Sequence, residues 1–273
     1  IEVFEEKLYV GGKNIFETTI GSIVDSRVFD GQLWHSLATP RDYTITDLYT
    51  SSLGSLYYIG HQDYPDPLGY TYNKIGKFTT TGWQPTLSPL TQIFGEFNCL
   101  GEYNEELVAG GEFDRLDSVL ASNVILMGQS GQAPIGLDAE NIGVSGPIYG
   151  MSVSNDKLLV AGKFSFAGGA ITGGAASYDG FSWDEINTPL THWQSSDPDF
   201  NADPPQVLQT GVHHLVEYNN TYFAGGSFKF LNPFGQNSTL SNLATIENMM
   251  WVGFAESELG STEITGMLVH KDL

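Results

Sequence analysis

Residues 107–113 read LVAGGEF, and close variants of this phrase recur along the chain. Each variant is an apolar run that ends in glycine: LYVGG at 8–12, LYYIG at 56–60, LLVAGKF at 158–164 and YFAGGSF at 222–228. The phrases begin 48, 51, 51 and 64 residues apart, and Leu273 stands 51 residues after the start of the last one. A repeat of about fifty residues is typical of propellers and repeat arrays, so this period decides the fold class before any local signal does.

Two further markers run in the same frame. Four of the five tryptophans share one repeat position, which follows turns such as Tyr178-Asp179-Gly180: Trp34, Trp83, Trp183 and Trp251. A short apolar strand precedes each phrase, as in ITDL at 45–48, FNCL at 97–100, IYGM at 148–151, VHHL at 212–215 and ITGM at 264–267. Polar pairs such as Asn155-Asp156 separate this strand from the phrase, and they are typical of tight hairpin turns. Each repeat therefore predicts four antiparallel strands, and the absence of helical periodicity predicts few helices.

These markers together predict an all-β protein, a β-propeller of four-stranded antiparallel blades. We expect a single domain over residues 1–273 with five blades, whose repeats begin near residues 1, 45, 97, 148 and 212. A C-terminal strand at 264–269 would complete the first blade of such a ring, whereas a longer parent chain would form a larger ring. The apolar residues, the turn aromatic and the tryptophan are expected to pack between blades. The repeated glycines are expected to supply positive φ and room for close backbone approach: Gly12, Gly60, Gly111, Gly162 and Gly226.

Composition excludes several classes of partner. Eleven basic residues against 32 acidic ones give a net charge of −21, which argues against a nucleic-acid partner. No apolar run approaches the ~18 residues of a membrane span, so we expect no membrane insertion. Cys99 is the only cysteine, which excludes an internal disulfide and predicts a small buried side chain. Two glycosylation sequons, at Asn219 and Asn237, fit a secreted or cell-surface location.

The repeat resembles that of kelch-type propellers, including the central propeller of galactose oxidase. The shared features are the glycine pair after a hairpin, the aromatic-Asp-Gly turn and the tryptophan that begins the last strand. Residues 158–186, LLVAGKFSFAGGAITGGAASYDGFSWDEI, are similar to repeats of secreted bacterial propellers and of fungal cell-surface polarity markers. Ile59 replaces the first glycine in the second repeat, and Gln132 replaces the tryptophan in the third. The resemblance implies the propeller fold over nearly the whole chain, but no motif matches the radical and copper ligands of galactose oxidase. Relatives of this kind are adaptors inside cells and adhesive or structural outside them, so the fold does not supply the function.

The longest connections are expected on one face of the propeller. Connections from the second to the third strand, and from the fourth strand to the next blade, emerge together on what we call the long-loop face. They include residues 61–73, residues 229–239 and the connection between Trp183 and Val212, which contains residues 192–205 and makes the fourth repeat 13 residues longer than 51. Long loops on a rigid scaffold are where ligands usually bind. Their aromatic side chains suit a glycan or a protein surface: Tyr64, Tyr70, Tyr72, Trp193, Phe230 and Phe234.

The insertion also contains a candidate calcium site. Acidic and amide side chains alternate there as D-x-D-x-N-x-D, at Asp197, Asp199, Asn201 and Asp203. Alternate oxygen ligands in a tight loop are what Ca²⁺ requires. Ala202 stands where an EF-hand-like loop has glycine, and no closing glutamate follows, so a solvated acidic loop without metal is the alternative.

The axial channel is the other candidate site. The third position of each first strand predicts a ring of Asp47, Cys99, Gly150, His214 and Gly266, with His213 beside it. Glycoside hydrolysis requires two carboxylates, and this ring offers one, so no catalytic residue is assigned. Asp47, His213 and His214 remain candidate ligand-binding residues. The sequence thus favours a non-catalytic propeller that binds a glycan or a protein. The alternatives are a polysaccharide hydrolase or lyase that uses Asp47 and His214, and a purely structural segment of a large surface protein.

Overall fold

The computed structural model describes residues 1–17, 22–37, 43–62, 73–79, 82–87, 93–128, 131–136, 142–186, 211–230, 240–247, 250–253, 264 and 266–267. These residues form β-strands and turns, and no helix occurs among them. Accordingly, this part of the chain contains no helix long and apolar enough to cross a membrane. The strands form five antiparallel blades in a ring, one blade for each sequence repeat. The predicted all-β propeller of four-stranded blades is confirmed.

Each blade consists of four strands in chain order. Blade one contains β1 (Glu2–Phe4), β2 (Lys7–Glu17), β3 (Ser22–Phe29) and β4 (Trp34–Ser36). Blade two contains β5 (Tyr43–Thr50), β6 (Leu56–Gln62), β7 (Asn73–Thr79) and β8 (Gly82–Pro85). Blade three contains β9 (Ile93–Tyr103), β10 (Glu106–Leu116), β12 (Val124–Gly128) and β13 (Gly131–Pro134), and β11 (Val119–Leu120) pairs with the end of β10. Blade four contains β14 (Ile148–Ser154), β15 (Lys157–Gly162), β18 (Ala175–Tyr178) and β19 (Trp183–Glu185), with a small hairpin of β16 (Phe166–Ala167) and β17 (Ala170–Ile171). Blade five contains β20 (Gly211–Tyr218), β21 (Thr221–Phe230), β22 (Leu240–Glu247) and β23 (Met250–Gly253).

The turns between first and second strands are nearly identical in four blades. Each has two residues with positive φ, as in Asn104 (51°) and Glu105 (65°), or Asn155 (50°) and Asp156 (60°). Two successive positive φ values define the type I′ turn, whose twist matches that of the strands it joins. The polar pairs in the sequence therefore formed the hairpins that they predicted. We call the end of the propeller that carries these turns the short-hairpin end.

The hydrophobic core lies between blades. Four buried clusters each combine residues of two successive blades, as expected when flat sheets stack face to face around an axis. In chain order they include Tyr9, Val28, Ile45, Leu48 and Trp83; Ile59, Ile75, Phe97, Leu107 and Phe113; Val108, Val124, Ile148, Leu158 and Trp183; and Leu159, Ala161, Val212, Leu215 and Ala224. The prediction that the apolar residues of the repeated phrase fill the junctions is confirmed.

Two of the repeat-position tryptophans fill junctions between blades. Trp83 lies between blades one and two, and Trp183 lies between blades three and four. Trp83 and Trp183 are each 6% exposed. The Trp183 indole Nε1 lies 3.5 Å from the Ile135 carbonyl oxygen of blade three, and the Tyr178 ring lies 5.8 Å from that of Tyr103. The Asp-Gly that precedes the tryptophan shapes its turn, because the Asp179 carboxylate accepts hydrogen bonds from the backbone N–H of Phe181 and Ser182 at 2.9 and 2.8 Å.

The repeated glycines lack positive φ, and two of them, Gly111 and Gly162, act by close approach of the backbone. Their predicted positive φ is wrong: none of Gly12, Gly60, Gly111, Gly162 and Gly226 has one. A Cβ on Gly111 would instead stand 2.0 Å from the Glu96 carbonyl oxygen, and one on Gly162 would stand 2.1 Å from that of Pro147. A β-bulge in the first strand lies opposite this glycine in blades two to five. The extra residue pushes the partner backbone toward the glycine, so no side chain fits there.

The C-terminal residues pack on blade five. Ile264 N–H donates to the Gly226 carbonyl at 3.0 Å, and a Cβ on Gly225 would meet the side chains of Ile264 and Met267. Ile45 covers Gly11 and Ile148 covers Gly110 in the same way, at the junctions that follow blades one and three. Ile264 thus holds the position of an innermost strand, while β1 is the strand that pairs with β2 in blade one. Half of 264–269 lies outside the described residues, so its role in completing the first blade stays a prediction.

Candidate functional site

The β-bulge decides which side chains of the first strands lie at the long-loop end of the central axis. We call this end of the axis the mouth. In each inner strand the bulged residue is the second of the sequence marker: Thr46, Asn98, Tyr149 or His213. We call these four residues the bulge ring. Thr46 and Asn98 line one hollow, and the rings of Tyr149 and His213 contact each other edge to face at 5.0 Å. The ring therefore runs from blade to blade at the long-loop end.

Two of the third positions that the sequence proposed as a channel ring, Cys99 and Gly150, are used for packing, whereas Gly266 is exposed. Cys99 is buried between blades three and four, as its single occurrence predicted. Gly150 is buried, and a Cβ there would stand 2.0 Å from the His213 carbonyl oxygen. His214 is half-buried. A bulge adds one residue to the strand, and a one-residue slip exchanges the faces to which side chains point.

A hollow of about 240 Å³ opens between blades two and three at the long-loop end. It is lined by Thr46 of β5, His61 of β6, and Glu96, Phe97 and Asn98 of β9. The position follows from chain direction, because β5 and β9 begin at this end and β6 finishes there. The lining offers a hydroxyl, an imidazole, an exposed carboxylate and an amide around a phenyl ring. Such a mixture binds ligands by several directional hydrogen bonds against a small apolar surface.

The mouth is negatively charged. Glu96 and Glu112 are both exposed and stand directly opposite each other across β9 and β10. Like charges at such positions destabilise a strand pair, so their presence serves no packing purpose. Desolvation raises the pKa of Tyr149, and the charge of Glu112 raises it further, so this phenol remains a neutral donor. A ligand here meets carboxylate acceptors beside neutral donors.

Asp47 binds the neighbouring blade. Its Oδ2 accepts a hydrogen bond from the backbone N–H of Leu100 at 2.8 Å, which satisfies a free inner-strand edge of blade three. Asn98 and Ser152 also bind the first strand of the next blade. The Asn98 amide donates to the Ile148 carbonyl at 3.0 Å, and the Ser152 hydroxyl donates to the Leu215 carbonyl at 2.6 Å. Burial raises the pKa of Asp47 to about 6 against the opposing hydrogen bonds from Leu100 and Leu48. Burial, and then the charge of Asp47, raises the pKa of the Cys99 thiol.

Only some of the predicted site residues lie within the described part of the chain. Asp47 contacts blade three, His213 contacts blade four, and these contacts do not depend on each other. Phe230 ends β21, but its side chain lies outside the described residues. The remaining aromatic residues and the calcium ligands also lie outside them: Tyr64, Tyr70, Tyr72, Trp193, Phe234, Asp197, Asp199, Asn201 and Asp203. Within the described ranges, no group of three or more His, Cys, Asp or Glu side chains is placed to hold a metal ion.

Sequence reasoning missed several residues of the mouth, namely His61, Glu96, Asn98, Glu112 and Tyr149. A signal for two of them, Asn98 and Tyr149, was present. The second residue of the marker is polar or aromatic directly after an apolar first residue in every repeat, as in Ile45-Thr46 and Ile148-Tyr149. A residue that breaks the apolar pattern at a fixed repeat position is one that the core does not use.

The sequence matches no protein-family model and no curated protein. Function must therefore be inferred from the geometry of this chain. The geometry consists of a propeller whose short-hairpin end is closed by tight turns, and whose long-loop end carries a polar, negatively charged mouth.

Proposed function

We propose that this chain is a non-catalytic, secreted or cell-surface β-propeller that binds a glycan or a protein on its long-loop face. The observation that carries the proposal is the hollow between blades two and three. Exposed Thr46 and Glu96 line this hollow beside Asn98, whose amide also joins blade three to the Ile148 carbonyl of blade four. Polar side chains at a rigid concave surface are typical of binding sites.

The connections that follow β6 and β21 supply further candidate binding residues. Strand β6 ends at Gln62, directly after His61, and the aromatic-rich loop with Tyr64, Tyr70 and Tyr72 follows. In blade five the loop after β21 contains Phe234. Aromatic side chains beside carboxylates and amides are common where proteins bind sugars or the side chains of a partner.

Charge narrows the class of ligand. A net charge of −21, with Glu96 and Glu112 exposed at the mouth, repels polyanions. A neutral glycan or a basic protein surface fits this field, and nucleic acid does not. Calcium, if the acidic insertion binds it, would add a local positive charge on the same face.

Two observations support the proposed location. The repeats resemble kelch-type propellers of the secreted and cell-surface kind. The sequon residue Asn219 lies exposed in a two-residue turn at the short-hairpin end, where a glycan would not cover the long-loop face. In a eukaryotic secretory host, we expect peptide N-glycosidase to lower the mass of the chain, and Asn219→Gln to remove part of that shift.

The first experiment is a glycan array and a cross-linking capture of proteins, each run with calcium and with chelator. We expect selective binding to a neutral glycan or to a basic protein. Loss of binding on chelation and in Asp199→Ala would assign the metal to the insertion. Absence of any saturable ligand in both formats would contradict the proposal and favour a purely structural segment.

The raised pKa of Asp47 favours one second candidate, a polysaccharide hydrolase or lyase. A carboxyl group that titrates near pH 6 is a property of general acids. Turnover of a polysaccharide that Asp47→Asn abolishes, in a variant that still folds, would establish this activity. Unchanged turnover in that variant would exclude Asp47 as the catalytic group.

A further inference from the structure

Blade three carries a wall that rises at the long-loop end. Strands β9 and β10 have 11 residues each, and their pairing continues past the bulge ring to Leu116 opposite Ile93. The rings of Phe97 and Phe113 contact each other edge to face at 5.1 Å and fix the two strands together. This extension holds Phe94, Glu112 and Asp114 above the body of the blade.

A second wall, formed by Val144 and Ser145 in the connection between blades three and four, faces the first wall. Backbone hydrogen bonds join this second wall to both blades. Val144 N–H donates to the Ser122 carbonyl of blade three at 2.9 Å, while Ser145 N–H donates to the Phe166 carbonyl of blade four at 2.9 Å. Asn123 joins the walls: its amide donates to the Val144 carbonyl at 2.7 Å and accepts from Phe113 N–H at 3.0 Å. The space between the walls is therefore preorganised, which reduces the ordering cost of binding.

The hollow between these walls has a volume of about 410 Å³. Clefts that bind small molecules or sugar units have volumes of roughly 300–1,000 Å³. One side presents the Phe94 ring, which is 43% exposed and has the Arg115 guanidinium 4.1 Å from its centroid. The other groups are mainly acceptors, the exposed carboxylates of Glu112 and Asp114. Ser145 Oγ accepts from the backbone N–H of Ser165 and Phe166 at 3.1 and 3.0 Å, so its own hydroxyl proton can be donated to a ligand.

We propose that the hollow between blades three and four binds an uncharged carbohydrate ring, with Phe94 against its C–H face and Glu112 and Asp114 as acceptors for its hydroxyl groups. The proposal rests on the proposed function, because it names a ligand class for the same long-loop face. Acceptor-rich walls require a donor-rich ligand, and hydroxyl donors to carboxylates form strong, charge-assisted bonds. The carboxylates repel uronates and phosphates, and the adjacent Arg115 opposes a cationic ligand.

The test compares the whole chain with three variants on an array of neutral hexose, N-acetylhexosamine and uronate oligosaccharides, followed by titration calorimetry on the best neutral ligand. Phe94→Ala should weaken binding about three- to tenfold, the loss expected for one aromatic contact. Glu112→Gln should weaken it similarly without loss of folding, because it removes a like charge opposite Glu96. Phe181→Ala is the matched control, since this phenylalanine is 71% exposed in a turn at the opposite end. It should bind as the unmodified chain does.

Three results would overturn this inference: no neutral oligosaccharide is bound, uronates are preferred, or the Phe94→Ala and Glu112→Gln variants keep full affinity. The third result would leave the proposed function standing if another variant of the long-loop face lost binding. Failure of the proposed function is distinguishable, because then neither a glycan nor a protein binds the long-loop face at all.

Discussion

Two glutamates on strand β9 show how differently the two ends of a blade are used. Glu102, at the short-hairpin end, is 7% exposed, and its carboxylate accepts from the Ser52 backbone N–H at 2.7 Å and from the Ser52 hydroxyl. Glu96, six residues earlier on the same strand, is exposed and lines the hollow of the mouth. One carboxylate ties blade three to blade two, while the other faces open space.

A similar carboxylate contact joins blades four and five at the short-hairpin end. Glu217 of blade five binds Ser154 and Asn155 of the blade-four hairpin at 2.6 and 2.8 Å, as Glu102 binds blade two. At the long-loop end the bulge ring and the connections differ from one repeat to the next. Inter-blade contacts at one end thus leave the other end free to vary, and it is this end that we propose binds the ligand.

The largest change in stability is expected for the repeat-position tryptophans, which begin the fourth strand at the short-hairpin end. Trp183→Ala should cost about 3–5 kcal/mol of unfolding free energy, because it empties a packed junction. Trp34 holds the same repeat position but is 45% exposed, so Trp34→Ala should cost about 1 kcal/mol. Urea denaturation measures both. Equal losses would show that the tryptophan stabilises its own blade and not the junction.

An intermediate effect is expected for Asp47. Its pKa is raised in the folded chain from 3.8 to about 6, so its stabilising contribution is complete below 3.8 and is lost as the pH rises through 6. Asp47→Asn keeps an acceptor for Leu100 N–H and removes the buried charge. We expect the variant to be more stable than the parent at neutral pH, by on the order of 2 kcal/mol, with the difference vanishing at acidic pH.

Thermal unfolding of parent and variant across that pH range measures the effect. A variant that is less stable than the parent at neutral pH would mean that the charge of Asp47 is needed by a group that its contacts with Leu100 do not reveal.

A smaller effect on stability is expected for the contact between Glu102 of blade three and Ser52 of blade two, at the short-hairpin end. Glu102→Gln replaces the charged acceptor of two hydrogen bonds by a neutral one and should cost about 1 kcal/mol. A chemical denaturation midpoint measures it. If the midpoint does not move, this contact between blades two and three contributes nothing to stability.

The sequence predicted the blades and the junctions between them better than the residues that lie at the mouth. Repeated apolar phrases, hairpin pairs such as Asn155-Asp156 and the tryptophan frame all act locally or at a fixed period, so the blade and its junctions followed from them. The bulge did not, since a strand's alternation does not reveal one inserted residue. Because of that single residue, Thr46 and Asn98 line the hollow in place of Asp47 and Cys99, and Gly111 shows the predicted close approach without the predicted positive φ.

The most direct test measures ligand affinity and unfolding side by side for Glu96→Gln and Glu102→Gln, with the glycan or protein that the screen identifies. We expect Glu96→Gln to weaken binding about tenfold without lowering the unfolding midpoint, because its charge-assisted bond is made only to the ligand and its removal relieves the repulsion from Glu112. Glu102→Gln should lower the midpoint and keep the affinity. If Glu96→Gln instead lowered stability with full affinity, the long-loop end would be part of the construction and the proposed mouth would be wrong.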